Sequence, residues 1–304
     1  MERLSVKRLV LIFIIALIPC TVHAAETDPK NTGENAQELP VIVVTADRQN
    51  EPIDQVTKPI SYVPRQDIVD EQAQSAADVL DTELGVDIIS FGAPGDDTNI
   101  RIRGSDTDEV LVLVDGVPIN TVLDNRPVII GTIPASFIDH VEIVRGAQSD
   151  MYGSRAVGGV VNIITRKGTE GIHGTAGFHS GNLGRYIEDA AFSLGEGNHK
   201  LRVAYQRWDQ YGRFFNDALA QNAVNLNWQY QWTPEFSVSF TPTYIQTLQQ
   251  LAYDVVVEGT TVYFPRDRNR RLRRDTLMAP ITFELHAFPW WDSYLDYSLL
   301  YQFV

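Results

Sequence analysis

The sequence predicts a compact α+β domain followed by an antiparallel, membrane-spanning β-barrel wall, both behind an export leader. Three observations predict it. A basic start runs into an apolar stretch at the N-terminus. Short hydrophobic segments punctuated by glycines fill residues 51 to about 168. From about residue 169 the pattern changes to long strands of alternating polarity, joined by connections that are short and long in turn.

Residues 1–24 read as a secretory signal peptide. Arg3, Lys7 and Arg8 precede the apolar run Leu9 to Ile18, and Val22-His23-Ala24 places small residues where a signal peptidase reads. The run is too short and wrongly flanked for a spanning helix. A lipoprotein reading of Leu17-Ile18-Pro19-Cys20 is disfavoured by the proline beside the cysteine. Cys20 is the sole cysteine, so the exported chain carries no disulfide or thiolate metal cluster. A formal charge of −14 argues against general nucleic-acid binding.

Residues 25–50 form the second zone. The stretch 25–38 is polar and aperiodic and reads as a tether. Leu39 to Ala46 follows, uncharged and β-branched. By pattern it is either a buried strand of the next domain or a linear peptide that adds to a partner's sheet edge. Its place after a flexible leader favours the second.

Residues 51–168 supply the α+β domain. Ile60 to Val63, Val86 to Ser90, Ile100 to Arg103, Val110 to Val114, Val141 to Val144 and Val160 to Thr165 are strand-like. Ser75-Ala76-Ala77-Asp78 resembles a capping box opening a short helix, and Gly85 is placed to end it. Asp115 follows a strand, where a catalytic carboxylate could sit, but Asp115-Gly116 is better read as a tight turn.

Seven wall strands are expected, at roughly 171–181, 184–195, 199–209, 222–232, 236–250, 276–288 and 293–304. Val224, Leu226, Trp228, Tyr230 and Trp232 share one face, and Asn225, Asn227, Gln229 and Gln231 the other. A soluble sandwich would alternate too. The connections favour a barrel: 195–198, 233–235 and 289–292 are short, while 209–221 and 251–275 are long. Trp232, Phe236, Phe288, Trp290 and Trp291 gather at the short-turn ends like an aromatic girdle.

Enzyme readings find no foothold. There is no HExxH, P-loop or GxSxG motif, and the histidines at 23, 140, 173, 179, 199 and 286 have no paired ligand spacing. The loop 251–275 carries Arg266, Arg268, Arg270, Arg271, Arg273 and Arg274. This cationic cluster reads either as a solvated loop that grips lipopolysaccharide phosphates or as an attractor for an anionic ligand. Asp254, Glu258 and Asp267 suggest Ca²⁺ only weakly, since their spacing is irregular.

Several ordered blocks carry a resemblance: VIVVTADR (41–48), AADVLDTELGVDI (76–88), IRIRG (100–104), VLVLVDGVPIN (110–120), IPASFIDHVEIVRG (133–146) and MYGSRAVGGVVNIITRKG (151–168). Over residues 39 to 168 the chain resembles the TonB-dependent outer-membrane receptors, most of all the cobalamin and siderophore receptors. The resemblance implies an α+β plug domain inside a transmembrane antiparallel barrel of about 22 strands. It implies active uptake of a ferric siderophore or a cobalamin-like nutrient across the outer membrane of a Gram-negative bacterium. Val41, Ile42, Val43, Val44, Thr45 and Ala46 then become the TonB box that binds TonB.

Further expectations follow. Cargo is expected to meet plug apices around Phe91, Asp96, Asp97, Asn120, Asn125 and Arg126. Arg101, Arg103, Glu142, Arg145 and Arg155 are expected to pair with polar groups of the barrel lumen, because an enclosed charge without a partner is costly. The seventh strand should end at the outer face, whereas single-chain barrels close with an even number of strands. The barrel is thus expected to be incomplete and the chain unable to transport alone. An additional periplasmic signalling domain is not expected, since 25–38 is too short to build a core. A passive porin or a structural outer-membrane protein is the rival class, and it needs neither plug nor coupling peptide.

Overall fold

The structure, a computed structural model, describes residues 42–43, 51–90, 97–121, 129–212, 216–250, 256–258, 261–263, 271–288 and 291–303. Two short strands lead in: β1 Ile42–Val43 pairs antiparallel with β2 Glu51–Pro52.

The α+β domain is built on β3 Ile60–Val63, β4 Val86–Ser90, β5 Thr98–Ile102, β6 Val110–Val114, β7 Val117–Pro118, β8 Ile138–Arg145 and β9 Gly159–Thr165. Its helices are α1 Arg65–Asp70, α2 Ala76–Asp81 and α3 Ser149–Tyr152. Five strands form one mixed sheet in the order β3-β8-β9-β6-β7, with β6 and β9 parallel. β4 and β5 make a separate hairpin.

Val-Leu-Val-Leu-Val is buried along the whole of β6 because both faces are covered. Val110, Val112 and Val114 join the main core with Leu80, Phe137 and Ile143, while Leu111 and Leu113 pack on Ala156 and Val160. The capping box at α2 forms: the Ser75 hydroxyl accepts from the Asp78 N–H, and Asp78 accepts from the Ser75 N–H at 3.0 Å. The helix stops at Asp81, capped at Thr82. Gly85, at φ +74°, makes the turn into β4 instead of ending the helix. Asp115 and Gly116 take φ values of +47° and +79° between β6 and β7, as a two-residue hairpin turn requires. Sequence periodicity missed α1 and α3, which are too short to show a helical stripe.

The wall consists of β10 Gly171–Gly181, β11 Arg185–Glu196, β12 His199–Gln210, β13 Leu219–Thr233, β14 Phe236–Phe240, β15 Thr243–Gln250, β18 Arg271–Phe288 and β19 Trp291–Phe303. A small hairpin of β16 Val256–Glu258 and β17 Thr261–Tyr263 lies in the segment expected as an external loop. Every wall pairing is antiparallel, and among the described residues β10 and β19 are the two edges.

β14 and β15 occupy one place in the sheet, since both pair with β13 on one side and β18 on the other. The single strand expected at 236–250 is broken at Thr241-Pro242. Pro242 has no N–H, although its carbonyl still accepts from the Leu226 N–H at 2.9 Å. Pro280 on β18 also lacks one, while its carbonyl accepts from the Thr241 N–H at 3.2 Å. Two neighbouring strands therefore each lose a ladder donor at the same level. With the pair taken as one, the wall has the seven strand positions expected.

Alternation sorts the wall into two surfaces. Val203, Tyr205, Val224, Tyr244, Leu248, Leu295, Tyr297, Leu299 and Tyr301 are exposed on the outer one. A continuous apolar exterior of this extent suits lipid. The Trp228 and Tyr230 rings lie parallel at 6.3 Å, and Trp232 meets Tyr230 edge-on at 5.8 Å, towards the short-turn end as expected. Trp290 lies outside the described residues.

Asn120 braces β6. It is 2% exposed; its Oδ1 accepts from the Val112 N–H and its Nδ2 donates to the Val110 carbonyl, both at 2.8 Å. Asn120→Leu should destabilise the α+β domain by about 1–3 kcal/mol by orphaning backbone groups. Hydrogen exchange at the Val112 amide should accelerate accordingly; an unchanged rate would contradict this role.

Candidate functional site: the plug–wall interface

The inner surface of the wall packs against the α+β domain, which stands as a plug. Most inward positions carry amides and hydroxyls: Gln206, Gln221, Asn225, Asn227, Thr243, Thr247, Gln249 and Thr276 are all buried. Gln221 Nε2 donates to the Thr132 carbonyl at 2.9 Å, and Gln206 Nε2 to Ser136 Oγ at 3.1 Å. Asn225 Nδ2 donates to Thr243 Oγ1 at 2.8 Å, binding β13 to β15. Among the described residues, the amide oxygens of Asn225, Asn227 and Gln221 have no hydrogen-bond partner.

The contact is not uniformly polar. Ala204, Ala223, Ile245 and Met278 also point inward, and they join the plug's own hydrophobic core.

The predicted plug–wall charges behave differently. Arg145 works inside the plug: Nη1 donates to Ser61 Oγ at 2.6 Å, Nη2 to the Leu84 carbonyl at 2.8 Å, and Glu83 lies 3.6 Å away. Glu142 is fully buried on β8, with Oε1 3.4 Å from His140 Nε2. Arg103 is exposed at φ +52°, where its backbone N–H donates to the Gly85 carbonyl. Arg155 is exposed on the plug. Arg101 stands opposite Asp87 across the β4–β5 hairpin, with Nε buried. Arg145 and Glu142 thus hold plug elements to each other instead of to the lumen, because β8 lies inside the plug sheet.

The charged plug–wall pair that does form joins two other predictions. Arg274 Nη2 donates to Asp97 Oδ1 at 2.7 Å, and Arg274 is buried while Asp97 is half-exposed. Asp97 had been expected to meet cargo and Arg274 to belong to an external cationic loop. β18 already begins at Arg271, so period two sends Arg274 inward and Arg271 and Arg273 outward. Arg273 Nε lies 2.9 Å from Asp275 Oδ2. The six-arginine cluster is therefore divided between two faces; Arg266, Arg268 and Arg270 lie outside the described residues. Asn120 is corrected as well, since its amide is engaged by β6. Phe91, Asp96, Asn125 and Arg126 lie outside the described residues, as do Val41, Val44, Thr45 and Ala46 of the proposed coupling segment. Asp254 and Asp267 do too.

Sequence reasoning missed Arg65, Arg166, Arg202 and Asp189, which line one cavity of about 230 Å³ between plug and wall. For Arg202 the signal was present: it alternates with Leu201 and Val203 and shares the inward phase of Ala204 and Gln206.

Asp115 and His140 are among the titratable groups of the plug that are perturbed. Asp115 accepts from the Thr165 N–H at 2.8 Å and the Thr165 hydroxyl at 2.7 Å, and it is also hydrogen-bonded to Thr241 of the wall. Burial raises its pKa, and these donors oppose the rise. Burial of His140 disfavours its charge, but hydrogen bonds and charge from Asp139 and Glu142 outweigh that and lift it to about 9.

Residues 52–160 match the family model described as the TonB-dependent Receptor Plug Domain. The fold is shared with solved outer-membrane receptors. The ferripyoverdine receptor of Pseudomonas aeruginosa, bound to ferripyoverdine, aligns at 17% identity and a TM-score of 0.65 over 85% of this chain and 36% of its own. For the ferric yersiniabactin uptake receptor of Yersinia pestis the values are 18%, 0.66, 81% and 41%. For the alcaligin outer-membrane receptor of Bordetella pertussis they are 18%, 0.67, 86% and 42%. The chain thus spans well under half the length of each. At these identities the likeness is one of fold.

The His140 shift gives a signed pH dependence. Its folded pKa, about 9, exceeds the ordinary 6.5. The stability it contributes is full below about pH 6.5 and is lost as pH rises through about 9. Thermal unfolding between pH 6 and pH 10 should show this decline, and His140→Gln should flatten it. An unchanged slope in the variant would show that the imidazolium is not the group responsible.

Proposed function

From a chain that carries the plug domain and wall strands of the TonB-dependent receptor fold, we propose active uptake of a ferric siderophore across a Gram-negative outer membrane. One observation carries the reading: the inner face of the wall is packed with a plug belonging to the same chain. A passive pore has no use for one. An apolar outer surface, an export leader and a β-branched segment after a polar tether complete the pattern. The three solved receptors named above are described by their ferric siderophores or siderophore, which supports that cargo class over a corrinoid.

In this reading Val41 to Ala46 is the coupling peptide. It adds as a strand to the sheet edge of TonB, where backbone hydrogen bonds supply affinity and side-chain identity matters less. Ile42 and Val43 already adopt strand geometry against Glu51 and Pro52. Capture by TonB exchanges that short pairing for an intermolecular one. Cargo meets the plug around Phe91, Asp96, Asn125 and Arg126, and pulling on the peptide loosens the plug–wall contacts. These contacts are mostly single hydrogen bonds between neutral groups, each worth about 1 kcal/mol net. They can be broken in succession, while the apolar contacts of Ala204, Ala223, Ile245 and Met278 must part as well.

Deleting residues 41 to 46 in the receptor as the cell produces it should abolish energised uptake of iron-loaded siderophore and leave surface binding intact. Uptake that persisted unchanged would remove the coupling assignment. If deletion of the gene produced corrinoid dependence instead of iron starvation, the cargo assignment would fail while the transport reading stood.

A further inference from the structure

Three guanidinium groups face the cavity of about 230 Å³ between plug and wall. Arg65 opens α1 and is fixed there, its Nη1 donating to the Ala135 carbonyl at 2.6 Å and the Ile138 carbonyl at 3.1 Å. Arg166 follows directly after β9, held by its N–H to the Phe137 carbonyl at 2.8 Å. Arg202 comes from the wall on the inward phase of β12. Ser136, Thr175 and Asp189 complete the polar lining.

The charges in this cavity do not balance. Arg202 is 4% exposed, and its Nη1 has no hydrogen-bond partner. Asp189 is the carboxylate in the lining, but its Oδ1 lies 3.3 Å from His179 Nε2 on the neighbouring strand. Asp139, the next carboxylate of the plug nearby, is bonded to His140 Nδ1 at 2.9 Å. Burial and the charge of Arg166 pull the pKa of Arg65 down, against the opposing attraction of Asp139 and Asp189, so three guanidiniums share two carboxylates. An enclosed cation without a partner is costly, and the cost is relieved by an anion.

We propose that this cavity binds a small tetrahedral oxyanion, inorganic phosphate or sulfate, which clamps the plug to the wall through Arg65, Arg166 and Arg202. Guanidinium forks match the oxygens of such an ion, and one oxyanion can bridge all three. The volume suits it. A water takes about 30 Å³, so the cavity holds an oxyanion with part of its hydration and is roomy for a bare halide. It falls below the roughly 300–1,000 Å³ of sites that enclose drug-sized ligands, so a metal chelate does not fit. The site is therefore distinct from any cargo site and does not depend on the uptake reading. Two of the arginines belong to the plug and one to the wall, so occupancy ties the bodies together.

The test is thermal unfolding of the full chain in detergent, with sodium phosphate or sulfate compared with sodium chloride at equal ionic strength. Phosphate or sulfate should raise the Tm in proportion to the logarithm of concentration, as a ligand of the folded state does, and chloride should not. Arg202→Gln should weaken the apparent phosphate affinity at least tenfold, and Arg202→Lys less. If Arg202→Gln does not fold, Arg166→Gln, at a half-buried position, carries the same expectation. Diffraction from crystals grown with selenate should place anomalous density among the three guanidiniums. An equal response to all salts, a response to acetate alone, or a phosphate shift that survives Arg202→Gln and Arg166→Gln would overturn the proposal.

Discussion

Consecutive residues of a β-strand point to opposite sides of the sheet, and every surface of this molecule depends on that geometry. On β12, Arg202 and Gln206 face the plug while Val203 and Tyr205 face outward. On β13, buried Asn225 and Asn227 alternate with Val224 and Leu226. A slip of one residue would exchange the two sets and put amides into lipid and apolar chains against the plug. The same geometry divides Arg273 from Arg274, so that two adjacent arginines meet Asp275 on the outer face and Asp97 on the plug. The proline break at 242 leaves this phase intact, since Ser239, Thr241 and Thr243 all fall on the inward set.

The plug is held together by stronger means than those that hold it to the wall. Inside it, charged groups are fixed in place: Arg145 joins β8 to β3 and to the α2–β4 turn, and Glu142 shares His140 with Asp139. A continuous apolar core from Leu80 through Phe137 to Ile143 surrounds them. Towards the wall, the specific bonds are a few neutral amide contacts and the Arg274–Asp97 pair, half-exposed on its acidic side and so weakened by solvent. The apolar contacts there come from Ala204, Ala223, Ile245 and Met278.

The wall was legible in the sequence because alternation is local: each strand announces its own faces without reference to its neighbours. The capping box at Ser75 and the turn at Asp115-Gly116 were legible for the same reason, each lying within four residues. What was not legible depended on contacts far apart in the chain. That Arg145 and Glu142 turn into the plug is decided by the pairing of β8 between β3 and β9, a tertiary fact. That Arg274 rather than Arg101 or Arg155 meets the opposite body depends on where β18 begins. The cavity at Arg65, Arg166 and Arg202 gathers residues 137 positions apart at its extremes, from segments with no shared motif. Only the phase of Arg202 hinted at it.

Asp115 shows how these levels meet in one side chain. Its positive φ closes the β6–β7 turn, and its carboxylate takes the Thr165 N–H and hydroxyl at the end of β9, where the chain leaves the plug for the wall. Its remaining bond goes to Thr241, the residue that the neighbouring prolines leave beside the break in the wall. A carboxylate whose pKa is raised by burial needs its donors, and both of those from Thr165 belong to the plug. The Thr165 bonds keep the turn and the exit strand together. The β6–β7 turn and the strand by which the chain leaves the plug are thereby tied to each other within the plug.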